Sequence, residues 1–452
     1  MTAIPACFKA YDIRGRVPDE LNPELARSVG RAYAALYAPR KVVVGRDIRL
    51  SSEEICAALI GGLLDSGVDV LDLGLCGTEE IYHGAFSLED QGVDGGIVVT
   101  ASHNPADYNG MKFVTKGARP VTGESGLAEM ARMIVEDRLP PLAPGRGQLS
   151  AAQDKTAYIK HLLGYVDRGS LRPLKLVVNS GNGCAGAIVD LLEPHLPFSF
   201  VRAYHQPDGT FPHGVPNPLL PEKREETARL VREHGADLGI AWDGDFDRCF
   251  FWDEQGHFIE GYYIVGLLAT ELLTREPGAG ILHDPRLVWN TRELVLAAGG
   301  VPIMSRTGHA FIKERMRTED ALYGGEMSAH HYFRDFGYCD TGMVPWLLVA
   351  SLLSRKQVPL SSLVAERMAA FPVSGEINSV VKDPDAAIVR VEKAFGAGEK
   401  DYTDGLGVTF SDFRFNIRKS NTEPLLRLNV ETRGDKALLQ QKTDELLALI
   451  RA

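Results

Sequence analysis

Four segments of the sequence combine residue types that could act on a phosphate or a sugar. The first is Thr100–Pro105, which follows a predicted strand, Gly96–Val99. A serine exposed beyond a strand end, here Ser102, can act as a nucleophile or carry a phosphoryl group. Ser-His-Asn-Pro is also good turn chemistry, so a simple turn is the stronger interpretation of this segment alone. Ser102 does not lie in a Gly-x-Ser-x-Gly elbow, which disfavours a hydrolase triad.

The second segment carries three carboxylates on alternate residues, Asp243, Asp245 and Asp247. Such a loop can converge on one hard cation. An EF-hand loop has this spacing and a Glu254 at its twelfth position, but it needs glycine where Arg248 stands and helices where strands are predicted. A solvated acidic turn is the alternative, yet it leaves unexplained why the carboxylates crowd between two apolar runs. The sequence therefore favours a metal, with Mg²⁺ expected if phosphate is also bound.

The third and fourth segments offer groups for a sugar and a phosphate. In Gly324–His331, Glu326 and Ser328 could accept hydrogen bonds from sugar hydroxyls, although a His-His pair is more often packed or solvated. Arg418–Pro424 holds two cations and three hydrogen-bonding side chains on one loop, which suits a phosphate cradle. A solvated hairpin turn explains the fourth segment equally well.

These segments must be positioned by the elements around them, and the chain alternates strand-like and helical patterns for most of its length. This alternation predicts an α/β architecture. A weak internal repeat occurs three times, each time a short apolar strand leading into a polar or glycine-rich loop. The repeats open at Val42–Val44, Leu174–Val178 and Gly280–Leu282. Loops at the carboxyl ends of strands bind ligands in open α/β sheets, so three such loops are expected to reach one cleft.

Breaks in this pattern divide the chain into four predicted domains. Arg138–Ser150 is rich in proline and glycine and reads as a linker, Asp253–Gly256 as a tight turn, and Phe371–Gly375 as a second boundary where we expect a hinge. Beyond it, Val408–Ile417 and Leu425–Val430 are predicted to pair as strands, followed by a helix over Lys436–Ile450. The predicted domains are 1–145, 153–253, 256–368 and 373–452.

One motif points to a different class of protein. Gly181–Gly186 follows a strand and opens a helix, as in the dinucleotide fingerprint, and Asp208 lies near the position of the ribose-binding acid. An NAD-dependent dehydrogenase is therefore the runner-up. The match is weak, because any tight strand-to-helix turn favours glycine.

Composition limits the partners and the compartment. The 452 residues carry 49 Lys and Arg against 60 Asp and Glu, a net charge of −11, with 44% hydrophobic residues. This balance indicates a globular chain and argues against nucleic acid or an acidic membrane as partner. Taken alone, the negative net charge also disfavours an acidic substrate. The six cysteines form no CxxC pair, no signal peptide is recognised, and the apolar run Met343–Leu353 is too short for a membrane span, so we expect a cytoplasmic protein.

Taken together, the four segments resemble the α-D-phosphohexomutase family. They occur in the family's order, and the resemblance extends from Tyr11–Gly15 to Arg418–Pro424. Gly77–Tyr82 and Asp107–Lys112 are most similar to the bacterial phosphomannomutase branch (phosphomannomutase/phosphoglucomutase type), and Met327 favours mannose or dual mannose/glucose substrates over glucosamine. The implied fold is three related α/β domains with mixed sheets plus a smaller C-terminal α+β domain around a central active-site cleft.

The resemblance implies a phosphomannomutase that interconverts mannose 6-phosphate and mannose 1-phosphate. It implies a phosphoserine enzyme, a hexose 1,6-bisphosphate intermediate that also serves as activator, Mg²⁺, and a product that feeds GDP-mannose and polysaccharide synthesis. A dual phosphomannomutase/phosphoglucomutase is the nearest alternative, and a non-catalytic sugar-phosphate binding protein is another. Hexose phosphates are the expected partners of a monomer or weak dimer.

The resemblance also implies a role for each matched residue. Ser102 carries the phosphoryl group and, with Asp243, Asp245 and Asp247, binds the metal. Arg14, His103, Lys112 and Arg248 surround the transferring phosphate, and Lys112 and Arg14 are candidates for proton handling. Glu326 and Ser328 bind the sugar 3- and 4-hydroxyls. The non-reacting phosphate and the rest of the substrate are bound by Tyr11, Arg286, His309, His330, Arg418, Ser420, Asn421 and Thr422. The cations would line the site, with the acidic excess elsewhere.

Overall fold

A computed structural model describes residues 4–419 and 425–452. Three of the described α-helices begin at side-chain caps that the sequence provides. Asn22, Asp383 and Asp435 each accept a hydrogen bond from a first-turn backbone N–H group. In chain order the helices are α1 (Pro23–Tyr37), α2 (Ser52–Asp65), α3 (Thr78–Ser87), α4 (Ala128–Val135), α5 (Thr156–Leu163), α6 (Ala185–Leu192), α7 (Glu225–His234), α8 (Gly261–Leu273), α9 (Trp289–Ala297), α10 (His309–Glu319), α11 (Met343–Lys356), α12 (Leu360–Ala370), α13 (Pro384–Ala394) and α14 (Lys436–Arg451).

The strands are short, and those in the middle of the sheets are rich in buried β-branched residues, as at Val42–Val44. In chain order they are β1 (Ile13–Arg16), β2 (Lys41–Arg46), β3 (Asp69–Leu75), β4 (Val93–Val99), β5 (Tyr108–Thr115), β6 (Arg119–Pro120), β7 (Leu149–Ala151), β8 (Lys175–Asn179), β9 (Ser199–Ala203), β10 (Leu238–Trp242), β11 (Cys249–Trp252), β12 (Phe258–Ile259), β13 (Gly280–His283), β14 (Val301–Met304), β15 (Tyr323–Gly325), β16 (His331–Phe333), β17 (Cys339–Asp340), β18 (Ile377–Val380), β19 (Glu399–Asp401), β20 (Leu406–Thr409), β21 (Phe413–Lys419) and β22 (Leu425–Thr432).

The internal repeat predicted from the sequence is present as a repeated sheet order. The first sheet contains β3-β2-β4-β5, the second β9-β8-β10-β11 and the third β14-β13-β15-β16. In each group the first two pairs are parallel and the last pair is antiparallel. The same arrangement thus places a polar loop after the third strand of each sheet, at Thr100, Asp243 and Glu326.

The C-terminal module has a different architecture. Its sheet, in the order β18-β22-β21-β20-β19, is antiparallel throughout. Helices α13 and α14 supply Val391 and Leu446 to the core against Phe415 and Val430. The predicted α+β module is therefore confirmed.

Two details of the sequence prediction are corrected. Val408–Ile417 is not one strand but the end of β20, a turn and most of β21; Phe410 N donates to Phe413 O at 2.9 Å across the Ser411-Asp412 turn. Apolar alternation continues through that turn and hides it. The predicted linker ends earlier than Ser150, because β7 pairs in parallel with β3 in the first sheet.

The chain forms two compact units that are not continuous in sequence. The first comprises residues 1–258 and 335–357, and the second comprises 259–334 and 358–452. Helix α11 therefore belongs to the first unit, where Trp346 packs edge-on against Phe198 and Phe200. Arg172 N also donates to Ser354 Oγ at 3.1 Å.

No helix among the described residues is both long and apolar enough to cross a membrane. All six cysteine side chains are buried, and none of them forms a disulfide.

Candidate active site

Ser102 lies in the loop after β4, and the backbone of this loop is unusual. The φ of Ser102 is +49°, in the left-handed region, and the Ser102 side chain is buried. Ser102 Oγ donates to Asp243 Oδ2 at 2.7 Å and lies 2.9 Å from His103 Nδ1. Ser102 N donates to Thr100 Oγ1 at 2.9 Å. The serine hydroxyl is therefore held against a carboxylate from a different sheet.

Arg49, which the sequence analysis did not single out, organises this loop. Its guanidinium donates to the carbonyl oxygens of Ser102 at 3.0 Å, Asn104 at 2.7 Å, Pro105 at 2.6 Å and Tyr108 at 3.0 Å. A buried guanidinium with several donors fixes carbonyl positions more firmly than separate weak contacts would. Arg49 thus sets the conformation that presents Ser102.

The three aspartates of the second segment lie in the loop between β10 and β11, as the sequence predicts. One carboxylate oxygen of each of Asp243, Asp245 and Asp247 lies within 4.8 Å of the others. Asp245 Oδ1 is buried and makes no hydrogen bond. Buried, crowded carboxylate oxygens of this kind fit a hard divalent cation, which prefers oxygen ligands.

A glycine lets the aspartate loop approach the serine loop. A Cβ on Gly244 would lie 2.5 Å from Ser102 O, closer than carbon and oxygen can approach. Gly244 is therefore required where the two loops meet. Two of the three predicted loops, both in the first unit, come together in this way.

Charges around the aspartates are buried and partly compensated. Burial raises the pKa of Asp243 to about 7, and neighbouring Asp247 and Asp245 act in the same direction, while Arg248 opposes them. Lys112 Nζ donates to Asp245 Oδ2 at 2.7 Å and to Asp247 Oδ2 at 2.5 Å. Burial disfavours the ammonium, but these two aspartates raise the pKa of Lys112 above its usual range. Lys112 is therefore a firmly held cation.

The remaining predicted residues of the first unit lie close to Ser102. Arg14 Nη1 donates to Ala101 O at 2.7 Å and to Asn104 Oδ1 at 2.6 Å. Arg248 Nε lies 3.1 Å from Asp243 Oδ2, and its Nη2 contacts His103 Nδ1.

The surroundings of His103, the residue after Ser102, favour its neutral form. Burial, with Arg248 and Arg14, holds the pKa of His103 well below its ordinary value.

Tyr11, the last of the predicted residues in the first unit, is half-buried and lies two residues before β1.

In the second unit, Arg286 connects most of the predicted sugar-binding residues. Its Nη2 lies 2.9 Å from Asp284 Oδ2, 3.3 Å from Glu326 Oε1 and 3.1 Å from Ser328 Oγ. Asp284 Oδ2 also accepts from Met327 N at 2.8 Å. The loop after β13 and the loop after β15 are thus bound together through one buried arginine.

Glu326 is an ionised acceptor within this group. It accepts from Tyr332 Oη at 2.6 Å and lies 3.0 Å from His330 Nδ1. Burial favours the neutral acid, but His330 and Arg286 hold the pKa of Glu326 well below its usual range. His309 begins α10, half-buried, with Nδ1 3.4 Å from Lys313 Nζ.

The fourth segment is described only in part. Arg418 is buried on β21 and its Nη2 lies 3.3 Å from Glu376 Oε2. Ser420, Asn421 and Thr422 lie outside the described residues. Glu376 is a further acid with a buried side chain, and no local pattern in the sequence indicated it.

The glycines of the dinucleotide-like motif have a packing role. A Cβ on Gly183 would lie 2.7 Å from Gly244 O, and one on Gly186 would lie 2.2 Å from His205 O. Gly181 has a φ of +55° and would meet Pro216. Gly183 therefore lets the turn after β8 pack against the aspartate loop, and Gly186 and Gly181 let it pack against His205 and Pro216.

Several residues that support the site were missed by sequence reasoning. Thr78 Oγ1 donates to Asp245 Oδ2 at 2.5 Å, and Thr100 Oγ1 donates to Asp47 Oδ2 at 2.8 Å. Asp47 and Arg49 stand just beyond β2, so their position after a strand was a usable signal. Thr78 likewise follows β3, but its partner Asp245 lies far along the chain, so this position alone did not indicate the contact.

Comparisons with known proteins agree with the repeated architecture. Four family models match consecutive parts of the chain: phosphoglucomutase/phosphomannomutase alpha/beta/alpha domain I at residues 5–134, domain II at 156–256, domain III at 260–371 and the C-terminal domain at 376–449.

Full-length relatives are also similar. A phosphomannomutase of Salmonella typhimurium is 60% identical over 98% of each chain. A Xanthomonas campestris protein named phosphohexose mutases is 59% identical over 99% of each. A crystal structure of a phosphoglucomutase/phosphomannomutase family protein from Burkholderia thailandensis has a TM-score of 0.88 and 33% identity, and the match covers 100% of this chain and 98% of that one.

Proposed function

Because the chain belongs to the phosphoglucomutase/phosphomannomutase family of enzymes, we propose that it interconverts mannose 6-phosphate and mannose 1-phosphate. The observation that carries the proposal is the position of Ser102, whose hydroxyl lies 2.7 Å from Asp243 in a loop that Arg49 fixes. The relatives named phosphomannomutase support the choice of mannose.

Ser102 is the proposed carrier of the phosphoryl group. In the first half-reaction the free sugar hydroxyl attacks this group, so an oxygen–phosphorus bond to the sugar forms and the bond to Ser102 Oγ breaks. The product is a hexose 1,6-bisphosphate. The intermediate then turns over in the cleft. In the second half-reaction Ser102 Oγ attacks the other phosphate, so a bond from Ser102 Oγ to phosphorus forms and the bond from that phosphorus to the sugar oxygen breaks. This step restores the phosphoserine, and the isomer is released with a free hydroxyl at that position.

The residues around Ser102 supply positive charge and orientation, which phosphoryl transfer chiefly requires. Asp243, Asp245 and Asp247 would hold Mg²⁺, together with an oxygen of the phosphoserine, and the bound cation would neutralise charge on the transferring group. Arg14 and Arg248 direct guanidinium groups to the Ser102 and His103 segment. Lys112 stays protonated between two aspartates, so its proposed role is that of a fixed charge and hydrogen-bond donor rather than a residue that transfers a proton.

The second unit contributes the proposed substrate contacts. Ionised Glu326 and the Ser328 hydroxyl would accept from the sugar 3- and 4-hydroxyls, and Arg286, which touches both, would orient them. Arg418, with Ser420, Asn421 and Thr422, would bind the non-reacting phosphate. Tyr11, His309 and His330 are further proposed contacts. Because both hexose isomers carry the same hydroxyls, one set of residues serves both orientations.

A dual phosphomannomutase/phosphoglucomutase is the second candidate. The observation that favours it is that close relatives from Xanthomonas campestris are named phosphohexose mutases. The proposal also includes a cytoplasmic monomer or weak dimer, activation by hexose 1,6-bisphosphate, and a product that feeds GDP-mannose and polysaccharide synthesis.

Mass spectrometry and turnover test the proposal together. Intact protein should contain a species heavier by one phosphate that maps to Ser102, and it should convert mannose 1-phosphate in the presence of Mg²⁺ and a hexose bisphosphate. The Ser102→Ala variant should lose nearly all activity, and the matched Ser28→Ala variant on α1 should keep it. If phosphorylated wild-type protein shows no turnover, the proposed mutase activity is refuted. If the Ser102→Ala variant keeps full activity, the proposed role of Ser102 as the phosphoryl carrier is refuted. The ratio of turnover on mannose 1-phosphate to that on glucose 1-phosphate separates the two candidates.

A further inference from the structure

Three arginines converge on one buried glutamate in the second unit. Glu376 directly precedes β18, and its carboxylate is 3.4 Å from Arg286 Nη1, 3.3 Å from Arg418 Nη2 and 3.2 Å from Arg427 Nη1. The Glu376 side chain is only 5% exposed. Neither Glu376 nor Arg427 belongs to the motifs from which the site was recognised.

Two of these arginines are forced together by the sheet. Arg418 on β21 is the direct cross-strand partner of Arg427 on β22. Like charges that face each other across an antiparallel pair destabilise it. Glu376 places an anion between them: burial favours its neutral form, but Arg286, Arg427 and Arg418 keep the pKa of Glu376 below its usual range.

Glu376 also connects two parts of the proposed substrate site. Arg286 stands in the loop after β13 and contacts Glu326 and Ser328, whereas Arg418 and Arg427 belong to the C-terminal sheet. Ser374 N donates to Val430 O at 2.9 Å and Asn429 Nδ2 donates to Gly375 O at 3.0 Å. The segment that carries Glu376 is therefore bound to β22, and the expected hinge, which stays a prediction, would move Glu376 together with Arg418 and Arg427.

We propose that Glu376 is a positioning residue that holds Arg286, Arg418 and Arg427 in the orientation needed to bind the non-reacting phosphate of the hexose phosphate, and that Arg427 contributes a further cation to that phosphate. This inference rests on the proposed function. Glu376 does not touch the substrate in this role; it acts through the three guanidinium groups.

The direction in which one substitution changes the affinity for a hexose phosphate separates a positioning role of Glu376 from a purely electrostatic one. Glu376→Gln removes a negative charge near an anion site, so electrostatics alone would tighten the binding of a hexose phosphate. Positioning predicts the opposite, because an amide holds three guanidinium groups less firmly than a carboxylate does. The contact with the non-reacting phosphate is equally strong in the ground and transition states, so its loss should raise KM and leave kcat nearly unchanged.

The test measures binding and turnover in the full-length protein. Calorimetric titration with mannose 6-phosphate should show about tenfold weaker binding to Glu376→Gln, and KM should rise similarly with kcat within about threefold of wild type. Glu376→Asp should fall between the two. Glu445→Gln, an exposed carboxylate on α14, is the matched control and should bind as wild type does. Thermal unfolding establishes that each variant is folded.

A double-mutant cycle adds a second variant, so that the test does not depend on a single substitution leaving the protein folded. Arg427→Gln should weaken binding in the wild-type background and have a smaller effect in Glu376→Gln, because the two residues act together. Equal or tighter binding to Glu376→Gln, or additive effects of the two substitutions, would overturn the inference. Wild-type protein that binds mannose 6-phosphate without converting it would instead refute the proposed function.

Discussion

Glu79 offers a quantitative test of how the first unit is held together. This buried side chain in the first turn of α3 reaches the start of α11, more than 260 residues later. Its Oε1 accepts from Tyr158 Oη at 2.6 Å and Thr341 Oγ1 at 2.8 Å. Its Oε2 accepts from the backbone N–H groups of Gly342 at 2.6 Å and Met343 at 3.2 Å. Since Gly342 has no side chain to cap α11, Glu79 caps the helix together with Thr341, whose Oγ1 accepts from Met343 N at 3.1 Å and Val344 N at 3.2 Å.

The contacts give the expected cost of removing this carboxylate. Glu79→Ala removes the acceptor of two buried donors, the Gly342 N–H and the Tyr158 hydroxyl, whereas Met343 N–H keeps Thr341 Oγ1 at 3.1 Å. At about 1–3 kcal/mol for each donor, we expect a loss of about 4 kcal/mol in the free energy of unfolding. Glu79→Gln keeps one carbonyl oxygen for the two N–H groups, and the hydroxyls of Tyr158 and Thr341 can rotate to accept from its amide. The expected loss for Glu79→Gln is therefore about 1 kcal/mol.

Tryptophan fluorescence during urea unfolding measures both losses. Trp242, Trp252 and Trp346 lie in the first unit and only Trp289 lies in the second, among the chain's four tryptophans, so the signal reports mainly on the first unit. Glu54→Ala, an exposed glutamate on α2, is the control and should change the midpoint little. A loss below about 1 kcal/mol in Glu79→Ala, or equal losses in the Ala and Gln variants, would refute the capping argument.

Three further predictions concern the loops and the pH dependence. Arg49→Met should lower kcat at least about 100-fold, because the Ser102 loop loses the donor to its carbonyls; turnover assays with circular dichroism as a fold control check this. Gly183→Ala should weaken Mg²⁺ binding measured by calorimetry, because a Cβ would meet Gly244 O at 2.7 Å; unchanged Mg²⁺ affinity would contradict that packing role. Burial and His161 lower the pKa of His83 to about 4. Between pH 6.5 and 4 the unfolded chain therefore binds the extra proton, so stability falls as pH falls, by up to about 3 kcal/mol. Urea unfolding across this range should show a shallower dependence in His83→Leu; an unchanged slope would exclude His83 as the cause.

Sequence reasoning could propose site residues where neighbouring residues form a motif. Ser102 and the aspartate triplet could be recognised because each lies in one short loop after a strand, and the strand order repeats. The turn at Ser411-Asp412 was missed because alternating apolar residues continue on both sides of it.

The supporting residues could not be predicted, because their partners are remote. Arg49 binds carbonyls more than 50 residues away, and Glu376 collects arginines from 42 to 90 residues away. No local pattern distinguishes such a residue from a solvated charge. Their roles depend on which loops the fold brings together, and a single sequence does not contain that pairing explicitly.

The place of α11 in the first unit has a consequence for biosynthesis. The helix is made about 100 residues after Phe258, the last residue of the unit's main segment. At about 5–20 residues per second, the ribosome needs roughly 5–20 s to supply it. During that interval the surface beneath Trp346, including Phe198, has no helix to cover it, and Glu79 has no N–H groups of α11 to bind. The first unit is therefore completed only after much of the second has been synthesised, and slow translation of this stretch would prolong the exposure of an apolar surface.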